Sequence, residues 1–234
     1  TIPTDGSIKH IGAAAFAGNT NLTSIVIPEG VVSVQVNAFA GCSSLNKVTF
    51  PKSLERIGAC AFRRCDSLKS IELGVNVKYI EAEAFSVCKG LTEIILPKQI
   101  TSIGSSVFSG CESLESVILP EGVDEIDRTL FCSCSGLVSL RIPKSVTKIE
   151  KGVFADCKKL SDLVYSGTVR EWNGIQKEWG WNEGCSFTVV HCSDGDLSIT
   201  PFPETSDGSQ GLEYQIEGDH AVLATSQTDA EGRT

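Results

Sequence analysis

The chain has 234 residues, 41% of them hydrophobic and 21% charged, a composition that excludes wholesale disorder. No apolar run approaches the roughly 18 residues that would predict a membrane span. Residues 1–182 balance 19 basic against 19 acidic side chains, whereas residues 183–234 set one arginine against ten acids and carry the whole net charge of −9. Because neither part supplies a basic stripe, the charge argues against nucleic acid as a partner.

A 23-residue repeat organises the sequence from residue 8 to residue 165. Its defining column contains Phe16, Phe39, Phe62, Phe85, Phe108, Phe131 and Phe154. Four aliphatic-rich columns keep the same register and begin at Ile11, Leu22, Ile25 and Ile27. One such unit cannot bury its own apolar side chains, whereas stacked units can. The repeat therefore predicts a solenoid that starts in mid-pattern, and with no Met in the chain we expect a piece of a longer, exported protein.

Each repeat predicts one strand followed by a second extended piece and a turn. In the motif Leu-x-x-Ile-x-Ile the last two apolar residues alternate, which places them on one face of a short strand. Proline directly follows the strand in five repeats (Pro28, Pro51, Pro97, Pro120 and Pro143) and suits a strand end because it has no N–H to donate. The next segment, Leu54–Phe62 for example, predicts an extended piece and one helical turn ending at the Phe.

These motifs strongly resemble the BspA-like class of leucine-rich repeats over residues 8–165. The resemblance is carried, in one repeat, by Cys88, Leu91, Ile94, Leu96, Pro97, Ile100, Ile103, Gly104, Phe108 and Cys111. It implies an α/β, right-handed leucine-rich-repeat solenoid of seven 23-residue repeats, with parallel strands on the concave face, short helical turns and extended segments on the convex side, and a C-terminal cap. Proteins of this class are surface-exposed or secreted and are associated with adhesion to host matrix proteins and with bacterial co-aggregation.

The pattern ends at Tyr165, and all three tryptophans follow within Tyr165–Trp181. A solenoid needs an atypical terminal unit to cover its last open core face, so we predict a Trp-rich cap over residues 166–199, with a strand at Phe187–Val190 and a turn-rich stretch at His191–Asp196. An aromatic platform for carbohydrate is the alternative interpretation of the tryptophans.

The remaining residues, 200–234, predict a linker and a β-hairpin that begins a further module. Thr200–Gln210 is rich in Pro, Ser, Thr, Asp and Gly, as linkers are. Leu212–Ile216 and Ala221–Thr225 flank Glu217-Gly218-Asp219, which is typical of a hairpin. The predicted domains are therefore 1–165, 166–199 and 200–234.

The cysteines predict structural thiols and neither a metal site nor a redox site. Six of the ten form one column: Cys42, Cys65, Cys88, Cys111, Cys134 and Cys157. A small thiol in such a column fits a tight turn and can bond a backbone carbonyl, and the chain lacks the paired C-x-x-C spacings of zinc sites. Cys185 and Cys192 lie outside the column, and a disulfide across the cap stays open for them.

Catalytic motifs are absent from the sequence, which predicts a protein that is not an enzyme. The three histidines (His10, His191 and His220) lie in no nucleophile motif, and there is no phosphate loop, dinucleotide fingerprint or metalloprotease motif. Ser193-Asp194-Gly195-Asp196 offers oxygens to a calcium ion, although a turn is the simpler interpretation. We expect no cofactor and no metal.

The outward-facing strand positions are the candidate binding surface. One column reads Val26, Thr49, Glu72, Ile95, Ile118, Arg141 and Val164, and the column two residues earlier reads Ser24, Lys47, Ser70, Glu93, Ser116, Ser139 and Asp162. An apolar centre with a charged rim is typical of a recognition patch, although β-branched residues also stabilise strands wherever they stand. The candidate binding residues are Glu72, Glu93, Ile95, Ser116, Ile118, Ser139 and Arg141.

The function hypothesis that follows, with much of its support from the resemblance, is a non-catalytic, extracellular or cell-surface adhesin module. We expect a protein ligand, either host extracellular matrix or another microbial surface protein, bound by a monomer without membrane insertion in this fragment. Two alternatives stay open: a structural spacer that presents another module, and a carbohydrate-binding module that uses the cap.

Overall fold

The computed structural model describes residues 6–200 and, beyond them, the backbone of residues 214–217 and 220–223. Apart from Thr200, the predicted linker Thr200–Gln210 lies outside the described residues. The chain divides into two compact units, Thr1–Pro203 and Glu204–Thr234. The predicted domain boundaries at residues 165 and 199 stay predictions.

Each of the seven repeats contributes two short strands. The fourteen strands are, in chain order, β1 (His10–Ile11), β2 (Ser24–Val26), β3 (Ser33–Val34), β4 (Lys47–Thr49), β5 (Arg56–Ile57), β6 (Ser70–Glu72), β7 (Tyr79–Ile80), β8 (Glu93–Ile95), β9 (Ser102–Ile103), β10 (Ser116–Ile118), β11 (Glu125–Ile126), β12 (Ser139–Ile142), β13 (Lys148–Ile149) and β14 (Asp162–Tyr165). After them come α1 (Val169–Gly174), β15 (Gln176–Lys177), β16 (Val189–Cys192) and β17 (Gly195–Ser198).

Successive repeats pair in parallel, each residue against its equivalent in the next repeat. Ser116 of β10 lies opposite Ser139 of β12, and His10 of β1 lies opposite Ser33 of β3. The even-numbered strands form a two-stranded sheet, β2-β4, and, with β17 added at one edge, a seven-stranded sheet ordered β17-β16-β14-β12-β10-β8-β6. The odd-numbered strands form the sheets β1-β3-β5-β7-β9 and β11-β13-β15. The predicted leucine-rich-repeat solenoid is confirmed, and each circuit of the chain makes one rung of it.

The core between these sheets is filled by the repeat columns. The six phenylalanines from Phe39 to Phe154 are fully buried. Their rings lie nearly parallel, with centroids 5.0 Å apart between Phe16 and Phe39 and 6.2 Å apart between Phe131 and Phe154. Because each ring uses both faces on its neighbours, every rung depends on the rung before it and the rung after it.

The turn that ends at each Phe differs from the predicted helical turn. Two residues per turn have left-handed backbone, for example Ala14 with φ of 52° and Gly18 with φ of 70°. The N–H of Ala14 donates to the Val36 carbonyl at 2.9 Å, and the N–H of Phe16 donates to the Ala38 carbonyl at 2.8 Å. A right-handed helix cannot contain left-handed residues, and the turn instead bonds to the next rung. The only α-helix among residues 6–200 is α1.

The cap continues the solenoid as a modified eighth rung. In the odd-numbered sheet Lys148 of β13 pairs with Gln176 of β15, and in the even-numbered sheet Leu163 of β14 pairs with Val190 of β16. The residues of the first pair lie further apart in the sequence than one repeat length, and α1 takes up the extra chain. This helix begins at a capping box, in which Thr168 Oγ1 accepts from the Glu171 N–H at 3.2 Å and the Glu171 carboxylate accepts from the Thr168 N–H at 2.7 Å.

Two hairpins follow. The predicted strand Phe187–Val190 corresponds to β16, which begins two residues later, at Val189, runs on to Cys192 and pairs antiparallel with β17. The turn-rich prediction for His191–Asp196 was therefore wrong in part, because only Ser193 and Asp194 make the turn. In the second unit β18 (Tyr214–Glu217) pairs antiparallel with β19 (His220–Leu223), which confirms the predicted hairpin; Gly218 and Asp219 lie outside the described residues.

Candidate functional site

The candidate site lies on the strand face, which is the surface formed by the outward side chains of β2, β4, β6, β8, β10, β12 and β14. Strand residues alternate between this face and the core. In β8, for example, Ile94 is buried with 6% of its surface exposed, whereas its neighbour Ile95 is 51% exposed. Ile118 of β10 is 66% exposed. The structure therefore leaves two large aliphatic side chains on adjacent rungs open to solvent.

A groove of about 510 Å³ lies at these two isoleucines. Its volume falls within the range of about 300–1,000 Å³ that is typical of ligand sites. Its apolar lining includes Ile95, Ile118 and the buried Leu119, and the charged side chains of Glu93 and Arg141 also line it. We call this feature the Ile95–Ile118 groove.

Five of the seven candidate binding residues line the Ile95–Ile118 groove. They are Glu93, Ile95, Ser116, Ile118 and Arg141. Glu72 lies opposite Ile95 in the strand pairing, one rung towards the N-terminus, and is exposed outside the groove. Ser139 does not line it, and its hydroxyl donates to the Asp162 carboxylate at 2.7 Å.

Sequence reasoning missed three polar residues that line the groove. Lys98 and Glu121 lie in the turns after β8 and β10, and Ser166 directly follows β14. The strand columns do not contain these positions, because each lies beyond the proline or core residue that ends its strand. Their signal in the sequence was spacing, since Lys98 and Glu121 occupy the same turn of successive repeats.

Three charged side chains of the strand face have no ion pair. On other faces some opposite charges at equivalent positions of successive repeats do meet on neighbouring rungs, as Lys78 does with Glu55 at 3.3 Å and Lys89 with Glu112 at 2.8 Å. Within residues 6–200, Glu72, Glu93 and Arg141 form no ion pair. The apolar rung of Ile118 separates Arg141 from the two glutamates. Carboxylate and guanidinium groups held apart in this way are available to a partner.

The cysteine column is a structural ladder, and the structure extends it by one member. The thiol of Cys111 donates to the Phe85 carbonyl at 3.2 Å, and the same bond recurs in the next repeat, from Cys134 to Phe108, at 3.0 Å. Burial raises the pKa of Cys111 to about 12 and raises that of Cys134 well above its ordinary value, so both thiols stay protonated. Neutral buried thiols are poor nucleophiles.

Cys185 occupies the ladder position of the eighth rung, and its thiol donates to the Phe154 carbonyl at 3.2 Å. Cys185 and Cys192 are both free, as are all other cysteines of the chain. The disulfide that the sequence left open for them is therefore not formed. The insertion of α1 hid this ladder position, because it places Cys185 further from Cys157 in the sequence than one repeat length.

One acidic cluster comes together at the odd-numbered sheet, formed by Glu125, Asp127 and Glu150. A lysine already holds it: Lys148 Nζ lies 2.5 Å from the Glu125 carboxylate and 2.6 Å from that of Glu150. These hydrogen bonds raise the pKa of Lys148, so an ammonium group occupies the place where a cation would bind. Burial and the adjacent Glu150 raise the pKa of Asp127. The acidic cluster is therefore held by ion pairs with Lys148 of the same chain.

The described histidines form no catalytic arrangement. His10 Nδ1 lies 2.8 Å from Ser33 Oγ on an exposed rung, and no carboxylate within residues 6–200 is bonded to His10. His191 Nδ1 lies 2.8 Å from an Asp196 carboxylate oxygen across the hairpin of β16 and β17. The Asp194 carboxylate accepts from the Val169 N–H at 2.8 Å, so this segment serves as a turn that supports α1.

Two of the three tryptophans form the interior of the cap. Trp172 and Trp181 are buried, with centroids 5.8 Å apart, and Trp181 packs edge-on against Phe154 at 6.0 Å, where the stack of phenylalanines ends.

Lys177 bonds to the C-terminal end of α1: its Nζ donates to the Trp172 carbonyl at 2.6 Å, and burial lowers the pKa of Lys177 to about 8. Trp179 is 52% exposed and lies under Lys151. Burial leaves Trp172 and Trp181 no ring face for a sugar.

No helix in the described part of the chain is long and apolar enough to cross a membrane.

Comparison with solved structures finds the same architecture in bacterial proteins. The chain is 32% identical to a leucine-rich repeat protein of T. pallidum, with a TM-score of 0.62 over 68% of this chain and 76% of that one. A leucine-rich-repeat protein of Bacteroides ovatus is 24% identical, with a TM-score of 0.54 over 80% of this chain and 65% of that one, and shows a similar fold.

No curated protein matches the sequence. The family model described as the BspA type leucine rich repeat region matches in six copies, over residues 9–135 and 82–174. The match covers more than half of the chain and includes every repeat from β1 to α1. The chain therefore belongs to the BspA-type leucine-rich-repeat family.

Proposed function

We propose that this chain is a non-catalytic, extracellular protein-binding module of a bacterial surface or secreted protein. Its ligand is a host matrix protein or another microbial surface protein, and the strand face is the surface that recognises it. The family that the chain belongs to supports the class of protein. The observation that carries the proposal is the Ile95–Ile118 groove, with its exposed aliphatic centre and unpaired charged rim.

The composition of this groove supports a protein ligand. Interfaces combine an apolar centre, which loses water on binding, with a polar rim that sets orientation. Ile95 and Ile118 supply the centre, and Glu93 and Arg141 supply charges of both signs at its edge. A rigid sheet holds these residues, so binding orders few side chains and little backbone. An exposed apolar pair on a rigid sheet is therefore suited to a folded or extended polypeptide.

The absence of a catalytic arrangement among the described residues supports a binding role over an enzymatic one. A nucleophile needs an adjacent base and a group that orients that base. The buried thiols of the cysteine ladder are protonated, and the described histidines bond to Ser33 and Asp196 at separate places on the surface. The strand-face groove contains no His and no Cys.

Surface plasmon resonance of the 234-residue chain over immobilised extracellular-matrix proteins and mucins tests the proposal. The test variant is Ile95→Glu with Ile118→Glu, which puts two carboxylates into the apolar centre of the groove. The matched control is Val26→Glu, because Val26 is 67% exposed on the same face, three rungs from Ile95. Thermal unfolding should be nearly unchanged in both variants, because all three side chains point to solvent.

We expect binding to be lost in the double variant and retained in Val26→Glu. Equal binding by the double variant would exclude the groove as the site. If the unmodified chain binds none of the immobilised proteins, the adhesin proposal is wrong and a spacer that presents another module is the better description.

A further inference from the structure

We propose that the strand face binds an extended peptide segment in which a basic residue, an aliphatic residue and an acidic residue occupy alternate positions. This inference rests on the proposed function, because it names the kind of segment that the Ile95–Ile118 groove takes. The chemistry recognised is Lys/Arg-x-aliphatic-x-Asp/Glu, or the same three residues in reverse order with the peptide running the other way.

The strand pairing places four side chains in one row across the rungs. Glu72 lies opposite Ile95, and Ile118 lies opposite Arg141. Ser116 lies opposite Glu93, which puts Ile118 beside Ile95 in the same register. The row therefore reads acidic, aliphatic, aliphatic, basic from the N-terminal to the C-terminal rung. We call it the Glu72–Arg141 row.

The length of this row matches an extended peptide. Neighbouring strands lie about 4.8 Å apart, so three steps from Glu72 to Arg141 cover about 14 Å. An extended chain rises about 3.3 Å per residue, so residues i and i+4 of a peptide are about 13 Å apart. In an extended chain, residues i, i+2 and i+4 point to one side. Three alternate side chains of a five-residue segment thus reach the two charges and the apolar centre together.

Charge decides which residues the peptide carries. Glu72 lies at one end of the row and Arg141 at the other, and Glu93 lies beside the row on the rung next to Glu72. None of the three has an ion pair within residues 6–200. A basic side chain is favoured over the glutamates, and an acidic side chain over Arg141, where a carboxylate can accept two guanidinium hydrogen bonds. An aliphatic side chain between them fills the groove at Ile95 and Ile118. A peptide with two like charges would be repelled at one end.

The test measures which peptide the chain binds most tightly and whether the variant Arg141→Glu reverses that preference. Isotope-labelled full chain is titrated by NMR with Lys-Ser-Ile-Ser-Glu and Lys-Ser-Ile-Ser-Lys, each flanked by Gly-Ser. A third peptide, with Lys-Ile-Glu contiguous, has the same charges but puts the isoleucine on the side opposite to them in an extended chain. The variant Arg141→Glu makes the row acidic at both ends, and Lys47→Glu, on the same face, is the control for added charge.

We expect the unmodified chain to bind Lys-Ser-Ile-Ser-Glu about fivefold more tightly than Lys-Ser-Ile-Ser-Lys, the size expected for exposed charge pairs. The amide signals of β8 and β10 should shift. In Arg141→Glu the preference should reverse, and in Lys47→Glu it should persist. Equal binding of the two peptides, no advantage over the contiguous peptide, or a preference that Arg141→Glu leaves unchanged would overturn the inference.

The failure of this inference is distinguishable from the failure of the proposed function. If matrix-protein binding is lost in the Ile95→Glu with Ile118→Glu variant but the peptides show no preference, the strand face binds a protein and the assigned segment is wrong. If the peptide shifts map outside β8, β10 and β12, the assigned row is wrong as well.

Discussion

Raising the pH above 8 should destabilise the solenoid, because the cysteine ladder is buried as neutral thiols. Burial raises the pKa of Cys111 and Cys157 to about 12 and that of Cys88 and Cys134 well above its ordinary value. Each sulfur faces a carbonyl oxygen, at 3.2 Å for Cys111. A thiolate there would lose its hydrogen bond and meet a lone pair. The folded chain therefore keeps protons that the unfolded chain releases.

The size of the effect follows from linkage between protonation and folding. A thiol in an unfolded chain has a pKa near 8.5. With a folded-state pKa of about 12, Cys111 and Cys157 each lower the free energy of unfolding, relative to neutral pH, by about 0.8 kcal/mol at pH 9 and about 2 kcal/mol at pH 10. The stabilisation that the neutral thiols contribute is complete below about pH 8.5, the pKa of the unfolded chain, and is lost as the pH rises towards the pKa of the folded state.

For Cys111 and Cys157 together the loss at pH 9 is about 1.7 kcal/mol, against the roughly 5–15 kcal/mol by which domains are stable. The raised pKa values of Cys88 and Cys134 add to this loss in the same direction. Lys177 opposes this trend, because burial lowers its pKa to about 8. A lysine with a lowered pKa is destabilising while charged, so its contribution improves as the pH rises through that value. Lys177 therefore offsets part of the loss that the ladder thiols cause.

Urea unfolding under reducing conditions at pH 7, 8, 9 and 9.5, followed by tryptophan fluorescence, measures the slope. Cys111→Ala should make the loss between pH 7 and 9 smaller by about 0.8 kcal/mol, although it lowers stability at neutral pH. Leu114→Ala is the control, because Leu114 is equally buried but does not titrate; it should lower stability by the same amount at every pH. A free energy of unfolding that stays level to pH 9.5 would refute the neutral ladder.

Two further predictions concern the repeat itself. Phe85→Ala should lower the free energy of unfolding, measured in urea, by about 3–5 kcal/mol, because it removes one ring from a continuous buried stack. An unchanged unfolding midpoint would contradict the stack. Val75→Ala, at a 61% exposed position, is the near-neutral control. Val87→Gly should stabilise the chain by about 1 kcal/mol, because Val87 has left-handed backbone, with φ of 59°, at the position where the next repeat has Gly110, with φ of 72°. The reverse change, Gly110→Val, should lower the free energy of unfolding by a similar amount. A less stable Val87→Gly chain would show that the packing of the valine side chain outweighs its backbone strain.

Periodicity predicted the solenoid because each rung repeats the same contacts. The constant repeat spacing specifies which side chains stack, so the Phe stack, the cysteine ladder and the alternation of Ile94 and Ile95 could all be derived from the sequence. The turns could not, because left-handed backbone appears at Val87 and Thr129, residues that do not favour it. There, bonds to the next rung outweigh local preference.

The candidate site could be predicted only in part for a related reason. Strand residues such as Ile118 and Arg141 have a known direction once the core columns are known. Lys98 and Glu121 lie in turns, where direction depends on backbone angles that spacing does not contain. The eighth rung was hidden because α1 lengthens it and shifts Cys185 out of register.

Because the rungs stack in parallel, the number of repeats sets the distance between the acidic and basic ends of the Glu72–Arg141 row. Gain or loss of one repeat unit between β6 and β12 would move the acidic and basic ends apart or together by one strand spacing, about 4.8 Å. The Phe stack would simply be one ring longer or shorter, and Trp181 would still close it at the cap. In the proposed binding mode, unequal recombination between repeats would change the length of the peptide segment that fits this row, and the other rungs would keep their hydrophobic interior.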